Sequence, residues 1–109
     1  MPDTRRSITE KVQVGMVKLL LTVGFDEAGV PREMFSKVGD GHQGQVDGLC
    51  ILVSLCLQYD VPVGVLVKHL RHRKYAPEGI AGQPCSLSDA VGMVLEKHAE
   101  GIGSVEEAA

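Results

Sequence analysis

The chain has 109 residues, of which 44% are hydrophobic and 23% are charged, as in a single ordinary globular domain. A net charge of −3 argues against a general nucleic-acid binder, which needs a basic surface to neutralise phosphates. No run reaches the roughly 20 apolar residues of a membrane helix and no signal peptide is visible, so we expect a cytoplasmic protein that binds neither membranes nor nucleic-acid polymers.

Three strands come first in the predicted order of elements. Gly15 and residues 26–29 are turn candidates that separate segments 7–14, 16–25 and 32–38. The middle segment has the clearest alternation, which places five apolar side chains on one face: Val17, Leu19, Leu21, Val23 and Phe25. Because the connections are short, the three strands are predicted to form an antiparallel meander.

The pattern then changes to helical spacing. After a glycine-rich loop at 39–44, residues 45–59 are so apolar that we expect a helix buried on nearly all sides. A second helix is predicted to begin near Pro62, with Asp60 or Val61 as N-cap, and to run to about Arg73.

The third helix is predicted to begin at Ser86 and to end before Gly101. Asp89 follows Ser86 by three residues, which resembles a capping box. Residues 1–100 would then form one domain, and residues 101–109 a flexible acidic tail.

This order predicts an α+β fold, in which a three-stranded antiparallel meander is followed by three helices packed on one face of the sheet. Leu20 falls on the second face, and the first helix is apolar all round. Both features suggest burial by another chain, so we expect a homodimer or higher homo-oligomer. Cys50, Cys56 and Cys85 are odd in number and are interpreted as reduced thiols, two of them in the core.

Two segments are candidates for binding an anion. The loop before the first helix offers free backbone N–H groups and close approach at Gly39, Gly41, His42, Gln43 and Gly44. The only dense basic run offers cations and an aromatic ring at His69, Arg71, His72, Arg73, Lys74 and Tyr75. The structural alternatives are a strand-to-helix turn for the loop and cations that complement a helix dipole for the basic run.

Metal binding and catalysis find little support in the sequence. His69 and His72 have helical i, i+3 spacing, but further ligands are not evident and the surrounding cations repel a metal ion. Cys85 falls in a loop without an acid or base that can be placed beside it. We therefore expect no cofactor and no enzymatic activity of the chain's own.

Several stretches together resemble the TSCPD domain of adenosylcobalamin-dependent ribonucleotide reductases, which also occurs in free-standing bacterial and phage proteins. They are residues 29–39, 52–57, 61–62, 70–73 and 86–91. The name-giving motif is degenerate, because Leu87 and Ser88 stand where the family has Cys and Pro. The large catalytic barrel of a reductase does not fit in 109 residues, so the resemblance does not imply reductase activity.

Together these features suggest a non-catalytic binding module for a nucleotide or other phosphate-bearing small ligand. The loop 39–44 and the segment 68–75 would form one pocket, within a chain or across a subunit interface. By analogy with phage-encoded sponges, one version is a phage protein that sequesters a nucleotide signal of host defence. The alternative is an interaction domain that docks on a ribonucleotide reductase through its first helix. A redox or metal protein built on Cys85, His69 and His72 is a third reading.

Overall fold

In a computed structural model, which describes residues 6–39 and 41–99, the described part of the chain opens with a three-stranded antiparallel sheet. The strands are β1 (Arg6–Val14), β2 (Val17–Phe25) and β3 (Pro31–Val38), in the order β1-β2-β3. The predicted meander is confirmed, with each strand within one residue of its predicted bounds. The predicted tail, residues 101–109, lies outside the described residues.

The three helices predicted to follow are also present. They are α1 (Gln43–Gln58), α2 (Val63–Leu70) and α3 (Leu87–Ala99). Their apolar side chains cover the inner face of the sheet, where the alternating residues of β2 are almost completely buried. In the part of the chain that the structure describes, no helix is long and apolar enough to cross a membrane.

The free edge of β3 is closed by side chains of α1. The Ser54 hydroxyl lies 2.8 Å from the Met34 nitrogen, whose N–H it accepts, and 3.2 Å from the Met34 oxygen. The Gln43 amide accepts the Val38 N–H at 2.7 Å and donates to the Ser36 oxygen at 3.2 Å. Because these backbone groups are satisfied within the chain, β3 does not present an open edge to another strand.

The prediction that the first helix is buried on nearly all sides is wrong for the single chain. One face of α1 packs into the core through Val46, Cys50, Val53 and Leu57. The opposite face is solvent-exposed and still apolar, with Ile51, Leu52, Leu55 and Tyr59 between 47% and 82% exposed. One face of α1 is therefore buried and the other exposed, although both are apolar. For this reason hydrophobic periodicity did not distinguish the two faces.

The second helix ends at Leu70, three residues earlier than the predicted Arg73. Arg71 has an extended backbone, and His72 has a left-handed φ of 63°. The His72 N–H donates to the buried Asp89 carboxylate at 2.8 Å, and this tertiary contact holds the chain outside the helical path.

The predicted N-cap of the second helix is also wrong. Asp60 has a left-handed φ of 64° and follows the C-cap of α1, Tyr59. Pro62 itself is the N-cap of α2, and no side-chain cap is formed. The capping box at α3 is half confirmed, because the Ser86 hydroxyl accepts the Asp89 N–H at 3.1 Å, whereas the Asp89 carboxylate binds elsewhere.

Candidate functional site

A cavity of about 530 Å³, called here the sheet cavity, lies on the outer face of the sheet, away from the helices. Each strand contributes one lysine to its lining: Lys11 from β1, Lys18 from β2 and Lys37 from β3. Lys11 and Lys37 flank Leu20, since both are its cross-strand partners. Leu20 is partly exposed and supplies apolar surface between the cations. In a chain of net charge −3, this local concentration of positive charge attracts anions.

A second exposed feature is the outer face of α1, defined by Ile51, Leu52, Leu55 and Tyr59 and called here the apolar face of α1. The four positions span about 100° of the helix circumference. Gly44 and Gly48 fall within the same arc, and a Cβ added at either would meet nothing within 4 Å. A continuous apolar face of this kind is typical of a protein interaction site.

The predicted anion-binding loop forms the entry to α1. Gly39 lines the sheet cavity, Gly41 has a positive φ of 80°, and His42 is the N-cap of α1 without a side-chain cap hydrogen bond. Gln43 uses its side-chain amide to close the edge of β3. Gly44 lies exposed in the first turn. The positive φ at Gly41 explains the glycine there as a turn residue.

The predicted basic segment lies along different cavities. A cavity of about 360 Å³ is lined in part by Arg71, His72 and Lys74. Tyr75 instead lines a cavity of about 240 Å³, which it shares with Gln45 in the first turns of α1. Of the predicted binding residues, Gly39 thus lines one cavity, Tyr75 a second, and Arg71, His72 and Lys74 a third. Their union in one pocket across a subunit interface stays a prediction.

The two arginines of the basic segment already have partners in the chain. The Arg71 Nε lies 3.2 Å from an Asp89 carboxylate oxygen, an ion pair without hydrogen-bond geometry, and its Nη1 lies 3.7 Å from a Glu96 oxygen. The Arg73 Nε donates to the His69 carbonyl oxygen at 2.6 Å. Arg71 therefore contributes to the structure between α2 and α3, and its charge is partly neutralised before any ligand binds.

Comparison with known proteins identifies the family of this chain. A profile of the TSCPD domain family matches residues 1–99. The chain is a member of the TSCPD domain family. The vitamin B12-dependent ribonucleotide reductase of Rhodopirellula baltica is 35% identical over 82 residues, and that of Bradyrhizobium diazoefficiens is 34% identical over 82 residues. No solved structure matches the chain.

The TSCPD chain spans only a small part of these relatives. Each match covers 72% of this chain but only 8% of the Rhodopirellula reductase and 6% of the Bradyrhizobium reductase. The relatives are enzymes, whereas the shared segment is one small domain within them. The similarity therefore shows an association of this domain with ribonucleotide reductases.

The name-giving segment of this TSCPD domain has a structural role. Asp89 is only 4% exposed, and its carboxylate accepts the His72 N–H at 2.8 Å and the Cys85 N–H at 2.9 Å. Desolvation raises the pKa of Asp89, but these two backbone donors and the Arg71 charge outweigh it and hold the pKa below its ordinary value. Asp89 thus remains ionised and fixes the segment that joins α2 to α3.

The cysteines of the TSCPD domain are all free thiols. Desolvation and the neighbouring Asp89 raise the pKa of the Cys85 thiol, and burial raises the pKa of Cys50 to about 11. A raised pKa lowers the thiolate fraction and hence the nucleophilicity of both sulfurs. Within residues 6–39 and 41–99, no three His, Cys, Asp or Glu side chains are grouped closely enough to hold a metal ion.

The three lysines of the sheet cavity were not predicted as a site. Strand alternation places Lys11, Lys18 and Lys37 on the same face as Leu20, and this much can be read from the sequence. Their proximity depends on the register, which pairs Leu20 with Lys11 on one side and with Lys37 on the other. The sequence-based prediction named the basic run at 68–74 instead, because its cations are adjacent in sequence.

Proposed function

We propose that this chain is a non-catalytic accessory domain that docks on a vitamin B12-dependent ribonucleotide reductase through the apolar face of α1. The observation that carries the proposal is the exposure of four large apolar side chains on one helix face, opposite the face that enters the core. The family and the two reductases that contain a similar segment support the choice of partner.

The apolar face of α1 has the composition expected of an interface core. Aromatic and aliphatic side chains that become fully desolvated dominate binding energy in protein complexes. Tyr59 is 82% exposed at one end of this face, and Leu52 is 62% exposed near its middle. Neither side chain contributes much to the core of the free chain, so binding explains their apolar character better than folding does.

We expect Leu52→Asp to weaken docking by about 100-fold or more, because an unpaired carboxylate would be buried in an apolar contact. The binding partner is the vitamin B12-dependent ribonucleotide reductase of the same organism, with its own TSCPD segment deleted where it has one. Affinity is measured by isothermal titration calorimetry. Since Leu52 is mostly exposed, the free energy of unfolding of the free variant should change by no more than about 0.5 kcal/mol.

Ala81→Asp is the matched control, because it adds the same charge at an exposed loop position. We expect it to bind the reductase like the unmodified chain. Equal binding by the Leu52→Asp variant, or no binding by either protein, contradicts the docking proposal. If the apolar face instead joins two copies of this chain, Leu52→Asp will convert a dimer to a monomer in light scattering without any reductase.

We expect Gly48→Ala to stabilise the free chain by about 0.5–1 kcal/mol, because alanine is the better helix former. An added Cβ at Gly48 meets nothing within 4 Å, whereas at Gly92 in α3 it would lie 2.8 Å from the Leu70 Cβ. Gly92→Ala therefore serves as the contrasting variant and should not be stabilised. Urea denaturation of both measures the difference, and a loss of stability in Gly48→Ala would show that the chain itself needs this glycine.

The same Gly48→Ala variant also tests the docking surface. If a partner helix approaches α1 closely at Gly48, the added methyl group will weaken binding to the reductase although the free chain is more stable. If Gly48 had a purely structural role, its replacement would not raise the stability of the free chain and at the same time lower the affinity for the reductase. Titration of the reductase with both proteins measures this, and unchanged affinity places the contact further along α1.

The finer predictions from the sequence concern a nucleotide and a homo-oligomer. The notion of one nucleotide pocket shared by the loop 39–44 and the segment 68–75 stays a prediction, because Gly39, Tyr75 and Arg71 line different cavities of one chain. The homo-oligomer, and a phage protein that sequesters a nucleotide immune signal, stay predictions as well. Light scattering of the free chain gives the oligomeric state directly.

A further inference from the structure

The sheet cavity brings together three cations that belong to three different strands. Lys11 and Lys37 are both cross-strand partners of Leu20, so their Cα atoms are separated by two strand spacings, or about 10 Å. Lys18 lies two residues from Leu20 on the same face of β2. The three flexible side chains can therefore direct their ammonium groups to a common point above Leu20.

The charges of these lysines are not neutralised by the residues that the structure describes. Lys97, by contrast, pairs with Glu10 at 2.9 Å on the other side of the sheet. Among the described residues that line the sheet cavity, none is acidic. Three like charges in one cavity repel one another, and a bound polyanion would remove that repulsion.

We propose that the sheet cavity binds a small molecule that carries a triphosphate, such as a nucleoside triphosphate. A triphosphate carries three to four negative charges in a compact chain, which matches three ammonium groups around one point. The cavity volume of about 530 Å³ is in the range of small-molecule sites. Leu20 offers apolar surface for the remainder of the ligand. This inference is independent of docking through α1.

An acidic peptide segment fits this arrangement less well. An extended peptide places carboxylates of one face about 7 Å apart along a line. The lysines instead surround Leu20 on three adjacent strands, and Lys18 is displaced along β2 from the other two. The geometry therefore favours a compact polyanion over a row of carboxylates.

Isothermal titration calorimetry of the full chain with ATP, inorganic triphosphate, adenosine and a hexaglutamate peptide tests the proposal. We expect ATP and triphosphate to bind, adenosine not to bind, and hexaglutamate to bind at least tenfold more weakly than triphosphate. Affinity should fall as salt is raised, because the lysines are solvent-exposed. Absence of ATP and triphosphate binding, tight adenosine binding, or hexaglutamate binding equal to triphosphate would overturn the proposal.

Lys11→Gln and Lys37→Gln should each weaken binding of triphosphate by about tenfold. Lys74→Gln is the matched control, because it removes one charge from the basic segment and leaves the sheet cavity intact. Loss of binding in Lys74→Gln, with none in Lys37→Gln, would move the site to the basic segment and overturn the assignment to the sheet. A general effect of net charge would lower all three affinities equally and would overturn it too.

Thermal unfolding separates a binding role of Lys37 from a structural one. Without ligand, we expect Lys37→Gln to have an equal or higher Tm, because repulsion from Lys11 and Lys18 is reduced. With triphosphate, the unmodified chain should gain stability and the variant should gain little. A lower Tm of the ligand-free variant, with an unchanged triphosphate-induced shift, would show that Lys37 supports the fold and not the ligand.

Discussion

Replacement of Asp89 by alanine is expected to lower the free energy of unfolding by about 3–5 kcal/mol, because it breaks a buried ionic network. The substitution leaves the N–H groups of His72 and Cys85 without their acceptor and removes the ion pair of the half-buried Arg71. Each unsatisfied buried donor adds its own desolvation penalty. Chemical denaturation monitored by circular dichroism measures the loss.

Asp60→Ala is the matched control for this experiment. Asp60 also pairs with an arginine, Arg32, at 2.8 Å, but its side chain is 80% exposed. Exposed ion pairs contribute little, so the control should lose no more than about 1 kcal/mol. Equal losses in the two variants would contradict the role assigned to burial at Asp89.

The contribution of Asp89 should also depend on pH in a defined direction. Its pKa in the folded chain lies below the ordinary value of 3.8, so folding favours the ionised form. The stabilisation is therefore complete above about pH 5 and is lost as the pH falls through the lowered folded pKa. Asp89→Asn, which cannot ionise, should lose less stability between pH 5 and pH 2 than the unmodified chain does, as measured by urea denaturation at each pH.

The fold could be predicted from the sequence because its signals are local. Alternation in β2 fixes which side chains enter the core, and short connections fix the meander. Glu10 shares the inward face of β1 with apolar residues, which the alternation alone does not explain. The structure does explain it, because the Glu10 carboxylate accepts from Lys97 at 2.9 Å and lies 2.7 Å from His98 Nε2.

The errors arise where residues distant in sequence meet. The end of α2 depends on a hydrogen bond from His72 to Asp89, seventeen positions apart, which helix propensity does not contain. The exposed face of α1 is as apolar as its buried face, so hydrophobic periodicity could not orient the helix. The lysines of the sheet cavity become neighbours only through strand register. Local sequence patterns thus predicted the helices and strands. The two proposed binding surfaces could not be predicted in this way, because they form only when these elements pack together.

Phe25→Ala is expected to have the other large effect, a loss of about 3–5 kcal/mol in the free energy of unfolding. Phe25 is 1% exposed at the end of β2, and its ring meets His98 of α3 edge-on, with centroids 6.1 Å apart. The truncation therefore creates a cavity where α3 joins the sheet, and it removes the support of the His98–Glu10 hydrogen bond. Urea denaturation at neutral pH measures the loss.

The chain contains two phenylalanines, and the second is the matched control. Phe35 lies on the outer face of β3 and is 54% exposed, so Phe35→Ala removes the same atoms while leaving no buried cavity. We expect it to cost no more than about 1 kcal/mol, which reflects the remaining contacts of a half-exposed ring. If both truncations destabilised the chain equally, burial of the Phe25 ring would not be what sets the cost of its removal, and the cavity assigned to Phe25→Ala would be contradicted.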